Sequence, residues 1–217
     1  MKIGIITGIY GSYDPLRPLP NNHGFDEAIC VTDDESLVSH GWTTIVNPSS
    51  EHPRMACKYP KMLPWTFSDC DAFVWLDASF SVNDSSLSKF VRPQLEKNDF
   101  IVFKHPEDRH CIVQEMEFCW SWEKYNKYPM RQQVDHYLNQ GMPINYGLWA
   151  AGMVGWRVTE EAKNFGNLWY NENINWSIQD QISLPFLLWQ QNKIFGEWEC
   201  HEFNNPYITY HWHARND

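Results

Sequence analysis

Positive charge is scarce in this 217-residue chain: 17 lysines and arginines stand against 27 aspartates and glutamates, a formal net charge of −10. That deficit argues against broad contact with a nucleic-acid backbone, which calls for a basic surface, and leaves room only for a local basic groove. Paired cysteines are lacking too. Cys30, Cys57, Cys70, Cys111, Cys119 and Cys200 show no CxxC step and no zinc-like spacing, so they read as reduced, mostly buried thiols of a reducing compartment. No apolar run is long enough to span a membrane. The apolar start, Met1-Lys2-Ile3-Gly4-Ile5-Ile6-Thr7-Gly8, is short, glycine-interrupted and without a small-residue cleavage site, which makes it a first strand rather than a signal peptide. A cytoplasmic location is the expectation. Internal repeats, low-complexity tracts and linkers are missing as well, and the length suits one domain over residues 1–217.

Aromatic rings, by contrast, are abundant. The 12 Trp, 10 Tyr and 12 Phe exceed what a core of this size requires, so some are expected to line a cleft, where flat faces pack against sugar C–H surfaces. A ring-rich core accounts equally well for any single Trp.

Apolar runs and turn residues give the organisation. Strands are expected over Ile3 to Ile9, Glu27 to Thr32, Trp42 to Val46, Phe73 to Leu76, Phe100 to Phe103 and Gly152 to Trp156. Pro53 to Trp65 reads as helical, with a kink or break at Pro60. Asn83-Asp84-Ser85 caps a helix running to about Lys97. Further helices are expected from His110 to about Tyr128, from Arg131 to Gln140 with Gly141 as the stop, and from Thr159 onward. Ile178, Ile182, Phe186 and Trp189 share one face of a last helix that carries Pro185. Strands alternating with helices predict an α/β layered fold with a largely parallel sheet. The tail from Asn204 to Asp217 is polar and aromatic, and only docking orders such a segment.

Four groups of residues carry candidate chemistry. Asp77 and Ser79 form a D-x-S step at the end of the buried run Phe73-Val74-Trp75-Leu76, where open α/β sheets build their sites; a carboxylate there can hold a divalent cation that bridges two phosphates, or simply cap the next element. His211 and His213 alternate in an extended segment and so point the same way, and either imidazole could complete a metal shell or sit in a surface tail. Arg54, Lys58 and Lys61 fall along one helix face, as a pyrophosphate site or a solvated face requires. Asp180 opens a helix in the polar stretch Gln179-Asp180-Gln181-Ile182-Ser183; the helix dipole alone favours an Asp there, and a first turn aimed into a cleft makes it a proton acceptor or a grip on a sugar. Lys104, His105, Arg109 and His110 add a second basic stretch after a strand.

With these groups placed, the chain resembles the TOD/MUCI type of glycosyltransferase-like domain over roughly Ile3 to Lys193. The resemblance is carried by Thr7-Gly8-Ile9-Tyr10-Gly11-Ser12-Tyr13-Asp14, Val31-Thr32-Asp33-Asp34, Arg54 to Pro64, Trp75-Leu76-Asp77-Ala78-Ser79, Phe103-Lys104-His105-Pro106 with Arg109 and Glu115, Tyr146-Gly147-Leu148, and Asp180-Gln181-Ile182-Ser183. It implies a GT-A-like (Rossmann-like) fold, a nucleotide-sugar donor with UDP as its expected nucleotide, and a divalent cation, manganese or magnesium, at the strand-end Asp. It also implies roles. Thr7, Tyr10, Tyr13 and Asp33 would surround the nucleoside, Arg54, Lys58 and Lys61 the ribose or diphosphate, and Asp77 with Ser79 the metal. His211 or His213 would close the metal shell, with the tail 204–217 over the donor site. His105, Arg109, Glu115, Tyr146 and Gly147 would shape the sugar or acceptor pocket, and Asp180 with Gln181 would contact the reacting sugar. The sequence departs from the family pattern at Lys58, where an arginine is expected, and at Ser79, where a second acid is expected.

The function expected is therefore a metal-assisted glycosyltransferase of bacterial or phage type, moving a sugar from a nucleoside diphosphate to a hydroxyl on a polysaccharide precursor, with Asp180 as the base if configuration inverts. A phage enzyme acting on hydroxymethylated DNA bases is the second reading; a basic groove around Lys104, Arg109, Arg131 and Arg157 would favour it. A carbohydrate-binding module would leave the cationic helix and the strand-end Asp unexplained, and a phosphoester hydrolase normally gathers more carboxylates and histidines per metal.

Overall fold

The computed structural model describes residues 1–213. Two wholly buried strands, β1 (Ile3–Ile9) and β4 (Ala72–Leu76), form its centre. β1 runs parallel to β4 and to β2 (Glu27–Thr32), which in turn pairs with β3 (Thr43–Val46). On the other side of β4, β7 (Trp149–Arg157) runs antiparallel between β4 and β6 (Phe100–Lys104), and the short β8 (Gly196–Glu197) lies parallel to β6. The seven-stranded order is β3-β2-β1-β4-β7-β6-β8. This is the α/β, mostly parallel, Rossmann-like sheet that the alternation of strands and helices predicts.

Alternate side chains of each strand feed two core layers. Ile6, Phe73 and Trp75 face the layer that holds Trp156 and Trp169; Ile5, Val74 and Leu76 face the one closed by Val91 and Leu95 of α3 (Ser86–Lys97). In the first layer the rings of Phe100, Trp156, Phe165 and Trp169 meet at centroid separations from 4.6 to 6.3 Å. Much of the ring surplus is therefore core.

Several boundaries differ from the sequence expectation. The Pro53 to Trp65 segment does break, but at Cys57, between α1 (Pro53–Ala56) and α2 (Lys58–Met62). Pro60 lacks an N–H, so it fits in the first turn of a new helix, where that N–H would have no intrahelical acceptor. His110 to Tyr128 is two helices, α4 (Ile112–Trp120) and α5 (Glu123–Asn126), the chain turning extended at Trp122. Next comes α6 (Met130–Asn139), and Gly141 ends it at φ 98°. β7 is longer than expected at both ends. Thr159 caps α7 (Glu160–Asn175), its hydroxyl accepting the Ala162 N–H at 3.1 Å, whereas before α3 the cap comes from Asp84, whose carboxylate takes the Ser86 N–H at 2.7 Å. Ile178 lies ahead of α8 (Asp180–Gln190) rather than in it. Trp42 stays outside β3, its indole N–H donating to the Arg17 carbonyl. Among the described residues no helix is long and apolar enough to cross a membrane.

Beyond the sheet, β5 (Phe80–Val82) pairs antiparallel with β9 (Ile208–Tyr210), and the His211 N–H donates to the Ser79 carbonyl at 2.7 Å. That pairing brings the tail beside the segment that follows Asp77. Residues 214–217 of the expected tail lie outside the described residues.

Candidate active site

β1 and β4 are parallel, so both deliver their carboxyl ends to the same rim of the sheet. β7 runs the other way and brings its first half to that rim, where the Gly152 carbonyl accepts the Asp77 N–H at 2.8 Å. Two adjoining cavities open there. The larger, of about 220 Å³, is walled by Lys61, Ser79, His105, Arg109, Gln181 and Glu202 among others; the smaller, of about 120 Å³, lies against Tyr10, Tyr13 and Trp75. Arg54, Lys58, Asp77 and His213 line both.

The cationic helix face is buried, not solvated. Lys58 and Lys61 place their ammonium groups 2.6 and 2.7 Å from the same Asp180 oxygen, and Lys61 lies 3.4 Å from Asp77 Oδ1. Burial works against ionisation of Asp180, but the two lysines outweigh it and hold the carboxyl well below the usual carboxylate range. Burial pushes Lys58 down despite Asp180, with Lys61 and Arg54 adding repulsion; for Lys61, burial is outweighed by Asp180 and Asp77, and its value rises. Arg54 donates to the Tyr125 hydroxyl at 2.5 Å and stacks over that ring, yet its Nη1 is buried without a partner. Arg54 lines both cavities, and a guanidinium with an unused N–H there is suited to an anion.

Around the smaller cavity the expected nucleoside residues separate. Tyr10 is buried, its hydroxyl accepting from Asn47 at 3.0 Å, and burial pushes its pKa to about 12. Tyr13 packs edge-on against His213 at 5.6 Å. Thr7 and Asp33 line neither cavity: Thr7 is a buried strand residue whose hydroxyl has no partner, and Asp33 receives the Gly11 N–H at 3.0 Å, bracing a turn at φ 58°.

Beside the larger cavity, Glu115 is a brace behind the wall. Its two oxygens take Arg109 Nε at 2.7 Å and Gln179 Nε2 at 2.6 Å, while Arg109 also reaches Glu107 at 2.5 Å. Burial lowers the His105 pKa, with Glu115 opposing and Arg109 adding to the effect. Tyr146 and Gly147 line neither cavity; Gly147, at φ 139°, accommodates the Trp149 ring, and Tyr146 meets the same ring edge-on. Of the basic residues that a DNA groove would need, Arg157 pairs with Asp99 at the far end of β7, Lys104 stands at the opposite end, beside Trp149, Arg109 is held by two glutamates, and Arg131 stacks over Trp120.

Glu202, which no sequence pattern singles out, lines the larger cavity at 5% exposure. Its carboxyl packs so close to Gly152 that a Cβ there would fall 2.3 Å from Oε1. Burial, followed by the nearby Asp77, pushes its pKa up to about 8. Tyr125, Phe80 and Gln179 are further wall residues that periodicity does not reveal.

The expected cation shell does not converge. Asp77 Oδ1 is taken by the Trp75 indole N–H at 2.5 Å and by Lys61, His211 Nε2 meets the Ser81 hydroxyl at 2.9 Å, and His213 Nδ1 lies 2.8 Å from Asp14. Among the described residues, no three His, Cys, Asp or Glu side chains gather as a cation site. The described side chains alone do not make a closed cation shell.

In sequence, residues 27–207 match the family model described as TOD1/MUCI70, glycosyltransferase-like domain, a span that begins at β2 and runs on through the loop carrying Glu202. No curated protein matches the chain. A buried cationic wall shared by two cavities at the carboxyl ends of parallel strands, on a chain matched by that model over most of its length, belongs to a member of the TOD1/MUCI70 glycosyltransferase-like domain family.

Proposed function

We propose that the chain transfers a sugar from a nucleoside diphosphate, UDP-sugar foremost, to a hydroxyl of a saccharide acceptor. The observation that carries this reading is the cationic wall: Arg54 and buried Lys58 line both cavities, buried Lys61 extends the wall into the larger one, and Arg54 Nη1 is left without a partner. The smaller cavity, with Tyr10 and Tyr13, suits the nucleoside; the shared wall suits the diphosphate; the larger cavity suits the sugar and the approaching hydroxyl. As the bond from the sugar's anomeric carbon to the diphosphate breaks, negative charge collects on the leaving group, and fixed cations in a water-poor site stabilise it strongly. Asp180, ionised between two lysines, and Gln181 contact the reacting sugar. Gln179 and Arg109, fixed by Glu115, shape the far wall. The pairing of Arg109 and Arg157 with carboxylates, Arg157 at the far end of β7, favours a saccharide acceptor over DNA.

The test is a melting series with UDP, GDP, CDP and dTDP, all with manganese present, on the native chain and on Arg54→Met. Saturation to about 100 times Kd stabilises a fold by about 2.7 kcal/mol, and a chain of this size gains about 2–4 °C per kcal/mol. One nucleotide should therefore raise the midpoint by about 5–10 °C, and Arg54→Met should abolish most of that rise. A native chain that no nucleotide shifts refutes the reading.

A further inference from the structure

We infer that the diphosphate is held without a divalent cation, the ammonium of Lys61 standing in the cation's place. This rests on the donor site proposed above and concerns how that site neutralises charge. Lys61 is fixed where it stands. Its side chain is 4% exposed, its ammonium touches Asp180 at 2.7 Å and Asp77 at 3.4 Å, and its backbone carbonyl accepts the Trp156 indole N–H at 2.9 Å, tying α2 to the core. An ammonium has three donors and two carboxylates occupy two of them, so one remains for a phosphate oxygen.

The remaining side chains point to the same assignment. The D-x-S step supplies a single acid whose Oδ1 already accepts from Trp75, the other carboxyl near it, Glu202, is packed against Gly152, His211 Nε2 meets Ser81, and His213 Nδ1 lies against Asp14. A divalent ion bound to Asp77 Oδ1 at about 2.1 Å would lie within about 5.5 Å of the Lys61 ammonium, like charge against like charge in a buried place. Without such an ion, Arg54, Lys58 and Lys61 outnumber Asp77 and Asp180 by one positive charge, so the wall itself presents net positive charge to a diphosphate.

The experiment is isothermal titration of the native chain with the nucleotide that raises its melting point, once with manganese and once with excess EDTA. Kd should differ by less than about fivefold. A Kd weaker by fivefold or more in EDTA overturns the inference while leaving the donor site standing; no binding in either condition overturns the donor site itself. Lys61→Met should weaken binding by about tenfold or more in EDTA, and a variant that binds as the native chain does removes Lys61 from the role. The native comparison decides the cation question even if Lys61→Met does not fold.

Discussion

Replacing Asp180 by Asn tests the electrostatics of the whole site. Its carboxylate is 7% exposed and is shared by two ammonium groups that are themselves 10% and 4% exposed. Lys61 keeps Asp77 at 3.4 Å, but among the described residues Lys58 has no second carboxylate within ion-pair distance, so the substitution leaves a buried ammonium facing an amide. Breaking a buried pair from one side costs about 3–5 kcal/mol, a large fraction of the 5–15 kcal/mol that holds a typical domain folded. At about 2–4 °C per kcal/mol the midpoint should fall by roughly 6–20 °C. The nucleotide should then recover more in the variant than in the native chain, because the diphosphate supplies the missing negative charge. The assay is thermal unfolding of both chains with and without saturating nucleotide. Asp180→Asn melting within about 2 °C of native, or gaining no more from nucleotide than native does, would refute the reasoning.

Glu202→Gln should change how stability depends on pH. The folded carboxyl titrates near 8, above its ordinary 4.5, so its stabilising contribution is complete below about 4.5 and is lost as pH rises through about 8. The native midpoint should decline between pH 6 and pH 9 by an amount worth a few kcal/mol, and the Gln variant should flatten that decline; parallel curves would place the Glu202 titration elsewhere. Gly152→Ala should displace Glu202, because the new Cβ falls 2.3 Å from its Oε1 and 2.8 Å from Phe80. A loss of about 1–3 kcal/mol in urea unfolding is expected, together with impaired sugar transfer and retained nucleotide binding; a variant as stable and as active as native would contradict the close packing.

The long central strands were legible as apolar runs bounded by turn residues, and burial of β1 and β4 on both faces leaves no alternative reading of Ile3 to Ile9 or Phe73 to Leu76, whereas β5, β8 and β9 are two or three residues long and carry no such run. Helix ends were less so. Pro60 signals a break, but its position in the first turn of α2 depends on where a missing N–H is harmless, three residues after the break itself. In the site, Arg54, Lys58, Lys61, Asp77 and Asp180 were legible as charges at element ends, whereas their mutual pairing joins residues 122 positions apart and leaves no local trace. Glu115 was visible only as a charge near Arg109, and the structure gives it the work of fixing its neighbours. Glu202 was silent because its environment is made by Gly152 and Phe80 on other segments, not by any spacing of its own.

The pairing of β5 with β9 has a consequence for biosynthesis. Every wall residue of the larger cavity up to Gln181 is made before Glu202, Phe203, Tyr210 and His213, which reach the cavity with the loop after β8 and with β9. A ribosome-bound chain that has released β1 to α8 holds Lys58, Lys61 and Asp180, but part of the wall of each cavity is still unsynthesised or inside the exit tunnel. The nascent polypeptide thus carries its cationic wall before either cavity is complete, and under the function proposed above neither donor nor acceptor is enclosed until β9 and His213 have emerged.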